Sequence, residues 1–80
     1  MYYVYLLRSS PHPEQTYVGV TADLEKRLKS HNSGSCRHTS KYRPWQLVTY
    51  VAFSSRGRAL EFEKYMKSHS GKAFAAKRLW

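Results

Sequence analysis

The chain has 80 residues, 41% of them hydrophobic and 15% aromatic; that suits one compact domain over residues 1–80, excludes a second core and argues against disorder. Fourteen Lys and Arg against five Asp and Glu give a net charge of +9, which points to nucleic acid as partner. No membrane partner is expected: no apolar run approaches the roughly 18 residues that span a bilayer, and surface binding is the weaker reading because no segment pairs a basic face with a broad lipid-type apolar face.

Met1–Arg8 lacks a basic n-region and its apolar run is too short for a signal peptide, so a cytoplasmic location is expected. Residues 2–8 are rich in β-formers and read as a buried strand. Residues 9–15 hold Pro11 and Pro13 and form a turn segment. Residues 16–20 make a second strand, and the two pair as a hairpin. Thr21 is expected to cap a helix, with Asp23 and Glu25 in the first turn where the dipole favours negative charge. That helix is expected to stop at Asn32-Ser-Gly34. Residues 35–45 form a basic loop holding Arg37, His38, Lys41, Tyr42 and Arg43. Its Cys36 is the only cysteine, so no internal disulfide and no Cys-based zinc site can form; it reads as an incidental thiol.

Residues 46–53 alternate partly and form a third strand. Ser54 or Ser55 caps a second helix running to about Lys67, residues 68–71 break it, and residues 72–79 form a short last helix. The order β-β-α-β-α-α is incompatible with an all-parallel sheet, because its first connection is a hairpin. A small α+β domain follows, with a three-stranded, mainly antiparallel sheet flanked by helices.

Polar residues on apolar faces carry the functional signal. On the second helix Ala59, Phe62 and Met66 share a stripe, and Glu63 falls inside that arc while Glu61 points away. A core-facing carboxylate costs several kcal/mol unless it is paired or binds a metal; Lys67, one turn on, is the simple ion-pair partner. On the first helix Arg27 and His31 border the stripe of Leu24 and Leu28, one turn apart. On the strands Tyr5 and Tyr17 can meet across the hairpin. Gly19, inside a strand, allows close approach to the backbone.

Tyr3-Val-Tyr5 followed by Tyr17-Val-Gly19 resembles the paired motif of the GIY-YIG nuclease superfamily, with Tyr replacing Gly in the first triplet and Val replacing Ile in both. Leu24–Gly34, carrying Arg27 and His31, looks like that family's catalytic-helix segment, and Ala59–Lys67 looks like the segment with its metal-binding glutamate. The resemblance runs from Tyr2 to about Leu79.

The resemblance implies a metal-dependent nuclease that hydrolyses phosphodiester bonds of DNA, of a structure- or single-strand-selective, repair or recombination type. Glu63 would be the one protein ligand of Mg²⁺ or Mn²⁺, which suits sparse carboxylate ligation and would stabilise the leaving 3′ oxygen. Arg27 would hold a non-bridging oxygen of the scissile phosphate. Tyr5 would be the general base for an attacking water, helped toward phenolate by a nearby cation, either Arg27 or the field of the metal, because its reference pKa near 10 is otherwise too high. Tyr17 would position the water or the phosphate, and His31 would assist proton transfer or orient Tyr5. Arg37, Lys41, Arg43, Lys67 and Lys72 are the candidate phosphate contacts, with Tyr42 and Trp45 either stacking bases or packed in the core. Eighty residues leave no room for a separate recognition module, so specificity is expected to come from the domain itself or from a protein partner. The alternative is a non-catalytic nucleic-acid-binding module on the same scaffold.

Overall fold

A computed structural model describes Met1–Trp80. Its elements are β1 (Tyr2–Ser9), β2 (Thr16–Thr21), α1 (Leu24–Ser33), a 3-10 turn at Ser40–Tyr42, β3 (Trp45–Phe53), α2 (Arg56–Met66) and α3 (His69–Arg78). The strands form one sheet in the order β2-β1-β3, with β1 antiparallel to both neighbours. The expected α+β architecture and its β-β-α-β-α-α order are therefore present, and the sheet is antiparallel throughout.

β1 is central because both of its faces are apolar: Val4, Tyr5, Leu6 and Leu7 are all buried. With a side-chain period of two, Tyr5 and Leu7 point to one face and Leu6 to the other. Tyr5, Leu7 and Trp45 form the first core cluster, and Tyr17, Leu24, Leu28 and Tyr42 pack against it. Leu6, Met66 and Ala75 form the second, beneath Val18, Phe62, Leu79 and Trp80. The sheet thus carries α1 and the 35–44 loop on one side and α2 with α3 on the other. Each fully buried Leu contributes about 1.5–3 kcal/mol.

Element ends follow local chemistry, with three departures from the sequence reading. Asp23, not Thr21, caps α1: its carboxylate accepts from Lys26 N at 3.1 Å. Thr21 instead accepts from Asp23 N at 3.1 Å, which holds the capping residue in place. Asn32 does not end α1. The helix continues to Ser33, and Gly34, at φ 86°, supplies the left-handed C-cap that favours glycine. Asn32 is used across the fold, where its Oδ1 accepts from Trp45 N at 2.5 Å and its Nδ2 donates to Trp45 O at 3.2 Å. That amide imitates a strand partner and ties the end of α1 to the start of β3.

Ser55 caps α2 through Arg58 N, as expected. Residues 68–71 do not all break the chain: Ser68 caps α3 by accepting from Gly71 N at 3.1 Å, and Gly71 lies within that helix. A Cβ there would collide with the Tyr65 carbonyl, so the α2–α3 corner depends on the missing side chain.

Candidate active site

The site begins with a register. Tyr5 pairs with Gly19 and Leu7 with Tyr17 across the β1–β2 ladder, so the two tyrosines meet on a diagonal, with ring centroids 6.1 Å apart. The Tyr5 ring folds over Gly19, whose absent side chain makes the room.

α1 lies over the same face and brings two polar groups to the Tyr5 hydroxyl. Arg27 Nε donates to Tyr5 Oη at 3.1 Å, and His31 Nε2 lies 2.9 Å from the same oxygen. Arg27 and His31 are one helical turn apart, so both reach one point beneath the helix. The His31 ring also packs against Tyr17, at 4.8 Å between centroids. His31 is fully buried, and its other nitrogen, Nδ1, lies 2.8 Å from Thr39 Oγ1. Thr39 is itself buried. Its hydroxyl donates to Cys36 O at 3.3 Å, and its carbonyl accepts from Trp45 Nε1 at 2.8 Å. The basic loop is therefore anchored beneath the site, and it adds a residue, Thr39, that the sequence reading had passed over because nothing in its loop context sets it apart.

Electrostatics corrects one expectation. Burial dominates at Tyr5 and pushes its pKa up to about 12, although the Arg27 hydrogen bond pulls the other way. At pH 7 such a phenol is protonated. Arg27 therefore does not produce a resting phenolate. The hydrogen bond to Tyr5 raises the Arg27 pKa further, so the guanidinium is always charged. His31 is shifted down, first by burial and then by the Arg27 charge, so its imidazole is neutral at pH 7.

Glu63 stands apart from this cluster. It lies on α2, across the sheet, and its side chain keeps 22% exposure; its carboxylate accepts from Lys67 Nζ at 3.3 Å. It is thus partly buried and ion-paired rather than aimed into the core, and no hydrogen bond joins it to Tyr5, Tyr17, Arg27 or His31. Tyr17, Lys67 and Lys72 line one groove of about 630 Å³, together with Val18, Met66 and Trp80. Tyr17 thus belongs both to the tyrosine cluster and to the groove beside the Glu63–Lys67 pair. Glu61 is exposed on the outer face of α2.

The residues present fit a hard divalent cation held mainly by water. Nowhere do three or more His, Cys, Asp or Glu side chains gather into a ligand cluster, whereas Glu63 offers one partly exposed carboxylate, the sparse ligation that such an ion accepts. Its partner Lys67 is 57% exposed. A pair with one partner this exposed is worth about 0–1 kcal/mol.

The candidate phosphate contacts divide into two groups. Arg37, Lys41 and Arg43 are exposed on the anchored loop, with Lys41 Nζ 5.2 Å from the Tyr42 ring and Arg43 lying against Gly34. Lys67 and Lys72 border the groove. Trp45 is 5% exposed, so it packs in the core and stacks no base. Tyr42 packs on that core with Trp45 and His12. No helix is long and apolar enough to cross a membrane.

Residues 1–78 match the family model described as the GIY-YIG catalytic domain. Over 69 residues the chain is 45% identical to "Structure-specific endonuclease subunit SLX1" of Candida dubliniensis, covering 78% of this chain and 24% of that protein. It is 38% identical over 65 residues to the SLX1 homolog of Giardia intestinalis, covering 76% of this chain and 18% of that one. The chain thus spans about a quarter or less of the length of these relatives. Among solved structures, a UPF0213 protein of Bacillus halodurans superposes with a TM-score of 0.56 at 32% identity, over 96% of this chain and 84% of that one. A match over almost all of its length, with tyrosine pair, Arg27 and His31 gathered at one point, means that the chain belongs to the GIY-YIG family.

Proposed function

We infer that residues 1–80 act as one catalytic domain, a metal-dependent nuclease that hydrolyses DNA phosphodiesters in a structure- or single-strand-selective way. The observation that carries this reading is the convergence of Arg27 and His31 on the buried Tyr5 hydroxyl, with Tyr17 opening toward a lysine-lined groove. A surface built only to bind polyanions has no use for a buried Tyr–Arg–His cluster.

In this reading the scissile phosphate lies over the exposed side of Tyr17 and Arg27. Arg27, fixed in its charged form, offers its remaining N–H groups to a non-bridging oxygen, where negative charge grows in the transition state. Tyr17 orients the attacking water or the phosphate. Tyr5 takes the water proton while its own hydroxyl proton passes to neutral His31, so a phenolate need not accumulate first. Glu63 would hold Mg²⁺ or Mn²⁺; that ion, when bound, supplies electrophilic stabilisation of the departing 3′ oxygen. Arg37, Lys41, Arg43, Lys67 and Lys72 supply the salt-dependent hold on flanking phosphates.

The names of the SLX1 relatives describe subunits of structure-specific endonucleases. They support DNA as substrate and a protein partner that contributes specificity. A second reading, a non-catalytic binding module, is favoured by one feature: the Glu63 carboxylate is already paired with Lys67. The deciding experiment incubates the protein with labelled single-stranded, duplex and branched DNA in Mg²⁺ or Mn²⁺, with EDTA and Glu63→Ala as controls. Metal-dependent cutting that vanishes in the variant supports the nuclease; binding without cutting on every substrate supports the module.

A further inference from the structure

The hydrogen-bond chain beneath the tyrosines has four links, and only one arrangement of protons satisfies all of them. Arg27 can only donate, so Tyr5 Oη accepts from it. The Tyr5 hydroxyl proton then has one acceptor in reach, His31 Nε2 at 2.9 Å. An imidazole that accepts at Nε2 carries its proton on Nδ1, which must donate to Thr39 Oγ1 at 2.8 Å. Thr39 is free to accept because its own proton goes to Cys36 O at 3.3 Å, a carbonyl that can only accept. Reversing the order places a proton on Nε2 and leaves the buried Tyr5 hydroxyl hydrogen without an acceptor. Buried polar groups are almost always satisfied, and no buried side-chain nitrogen or oxygen in this structure lacks a partner.

We propose that Thr39 is a positioning residue: its hydroxyl, oriented by the Cys36 carbonyl, holds His31 as the Nδ1–H tautomer, so that Nε2 stays open to receive the Tyr5 proton. The catalytic part of this role rests on the nuclease reading above; the tautomer does not. In the reaction, a proton leaves the attacking water for Tyr5 Oη while the Tyr5 proton moves to His31 Nε2. The water oxygen bonds to phosphorus and the P–O3′ bond breaks. The 3′ oxygen takes a proton from solvent, and the His31 imidazolium returns one to solvent. Throughout, Nδ1–H remains on Thr39 and keeps the ring from rotating. The groups that face His31 are Tyr5 from β1, Tyr17 from β2, Arg27 from its own helix and Thr39 from the loop. No carboxylate is among them, so hydrogen-bond direction rather than charge selects the tautomer. Orienting partners of metal-bound imidazoles, when removed, cost roughly 10–100-fold, and a loss on that scale is expected for the imidazole oriented here.

The test reads the ring nitrogens directly. With ¹⁵N-histidine labelling, long-range ¹H–¹⁵N spectra of the wild-type protein at pH 7.5 should show His31 with a protonated Nδ1 and a pyridine-type Nε2. Thr39→Val keeps the shape and removes the hydroxyl, and should lose that preference; Thr39→Ser should retain it. In the cleavage assay Thr39→Val should lower kcat about 10–100-fold with KM for DNA unchanged, and Thr39→Ser should restore most of it. A wild-type His31 protonated at Nε2 overturns the proposal without any variant, and so covers the case in which Thr39→Val does not fold. An unchanged tautomer in a folded Thr39→Val protein also overturns it. Absence of cleavage by the wild type bears on the nuclease reading alone, because the spectra answer the tautomer question independently.

Discussion

Gly19 lies opposite Tyr5 in the β1–β2 ladder, and the Tyr5 phenol occupies the space that a side chain at Gly19 would need. A Cβ placed there would stand 2.5 Å from the Tyr5 oxygen and 2.9 Å from Tyr17 Cε2. The glycine therefore sets where both rings lie, although it touches no phosphate in the proposed reaction.

Gly19→Ala should consequently displace the Tyr5 hydroxyl from Arg27 and His31. The expected outcome is a loss of about 1–3 kcal/mol of stability from overpacking, together with a fall in cleavage rate larger than the change in DNA affinity. Denaturant unfolding measured beside single-turnover kinetics checks both parts; unimpaired cleavage by a folded variant contradicts the placement of Tyr5 in the site.

Arg27→Ala removes the only permanent cation that touches the Tyr5 hydroxyl. Cleavage should fall by about 100- to 1,000-fold, the scale of losing one donor to a developing oxyanion. DNA binding should weaken only modestly, because thirteen of the fourteen Lys and Arg residues remain. Filter binding and cleavage measured on the same substrate separate the two effects.

Glu63→Ala should abolish metal-dependent cleavage and leave binding nearly intact. Its stability cost should stay within about 1 kcal/mol, since the partner Lys67 is free to return to solvent. Glu61→Ala should do little. A dead Glu61 variant beside an active Glu63 variant reverses the assignment of the two faces of α2.

His31 gives a pH prediction with a definite sign. Its folded pKa lies below the ordinary value of 6.5, because burial first and Arg27 second disfavour the imidazolium. The unfolded chain therefore takes up this proton first as the pH falls. Stability attributable to neutral His31 is fully present above about pH 6.5 and is lost as the pH drops toward the lowered folded pKa, with a slope of up to about 1.4 kcal/mol per pH unit. Thermal unfolding of wild type and His31→Gln between pH 7.5 and 5 should show the steeper acid loss in the wild type. Equal slopes would mean that His31 is not held neutral.

The strands, three helices and their order were legible in the sequence because each carries local signals: β-rich runs, Ser55 as a cap, Gly34 as a stop. The burial of β1 was legible too, since its apolar residues occupy both faces of the strand. Arg27 and His31 stood out because helical periodicity put them beside an apolar stripe, and Gly19 because a glycine inside a strand needs a reason. What periodicity determines is which face a residue takes relative to its own element.

Tertiary structure decided what those faces meet. The diagonal contact of Tyr5 with Tyr17 depends on a hairpin register that the turn over residues 10–15 does not specify. Trp45 became core and Asn32 became a clamp on its backbone, because α1 and the start of β3 close on one another. Thr39 gained its contact with His31 only when the loop folded under that helix. The same packing buried Tyr5 and raised its pKa, against the pull toward phenolate that the neighbouring arginine exerts. Helical phase set Glu63 apart from Glu61, and the two do differ in burial, yet the sequence was silent on where Glu63 stands relative to the tyrosines, because α2 packs on the opposite face of the sheet. A chain's own pattern fixes orientation within an element; the distances between elements, and the solvation that follows from them, arise only when the elements pack.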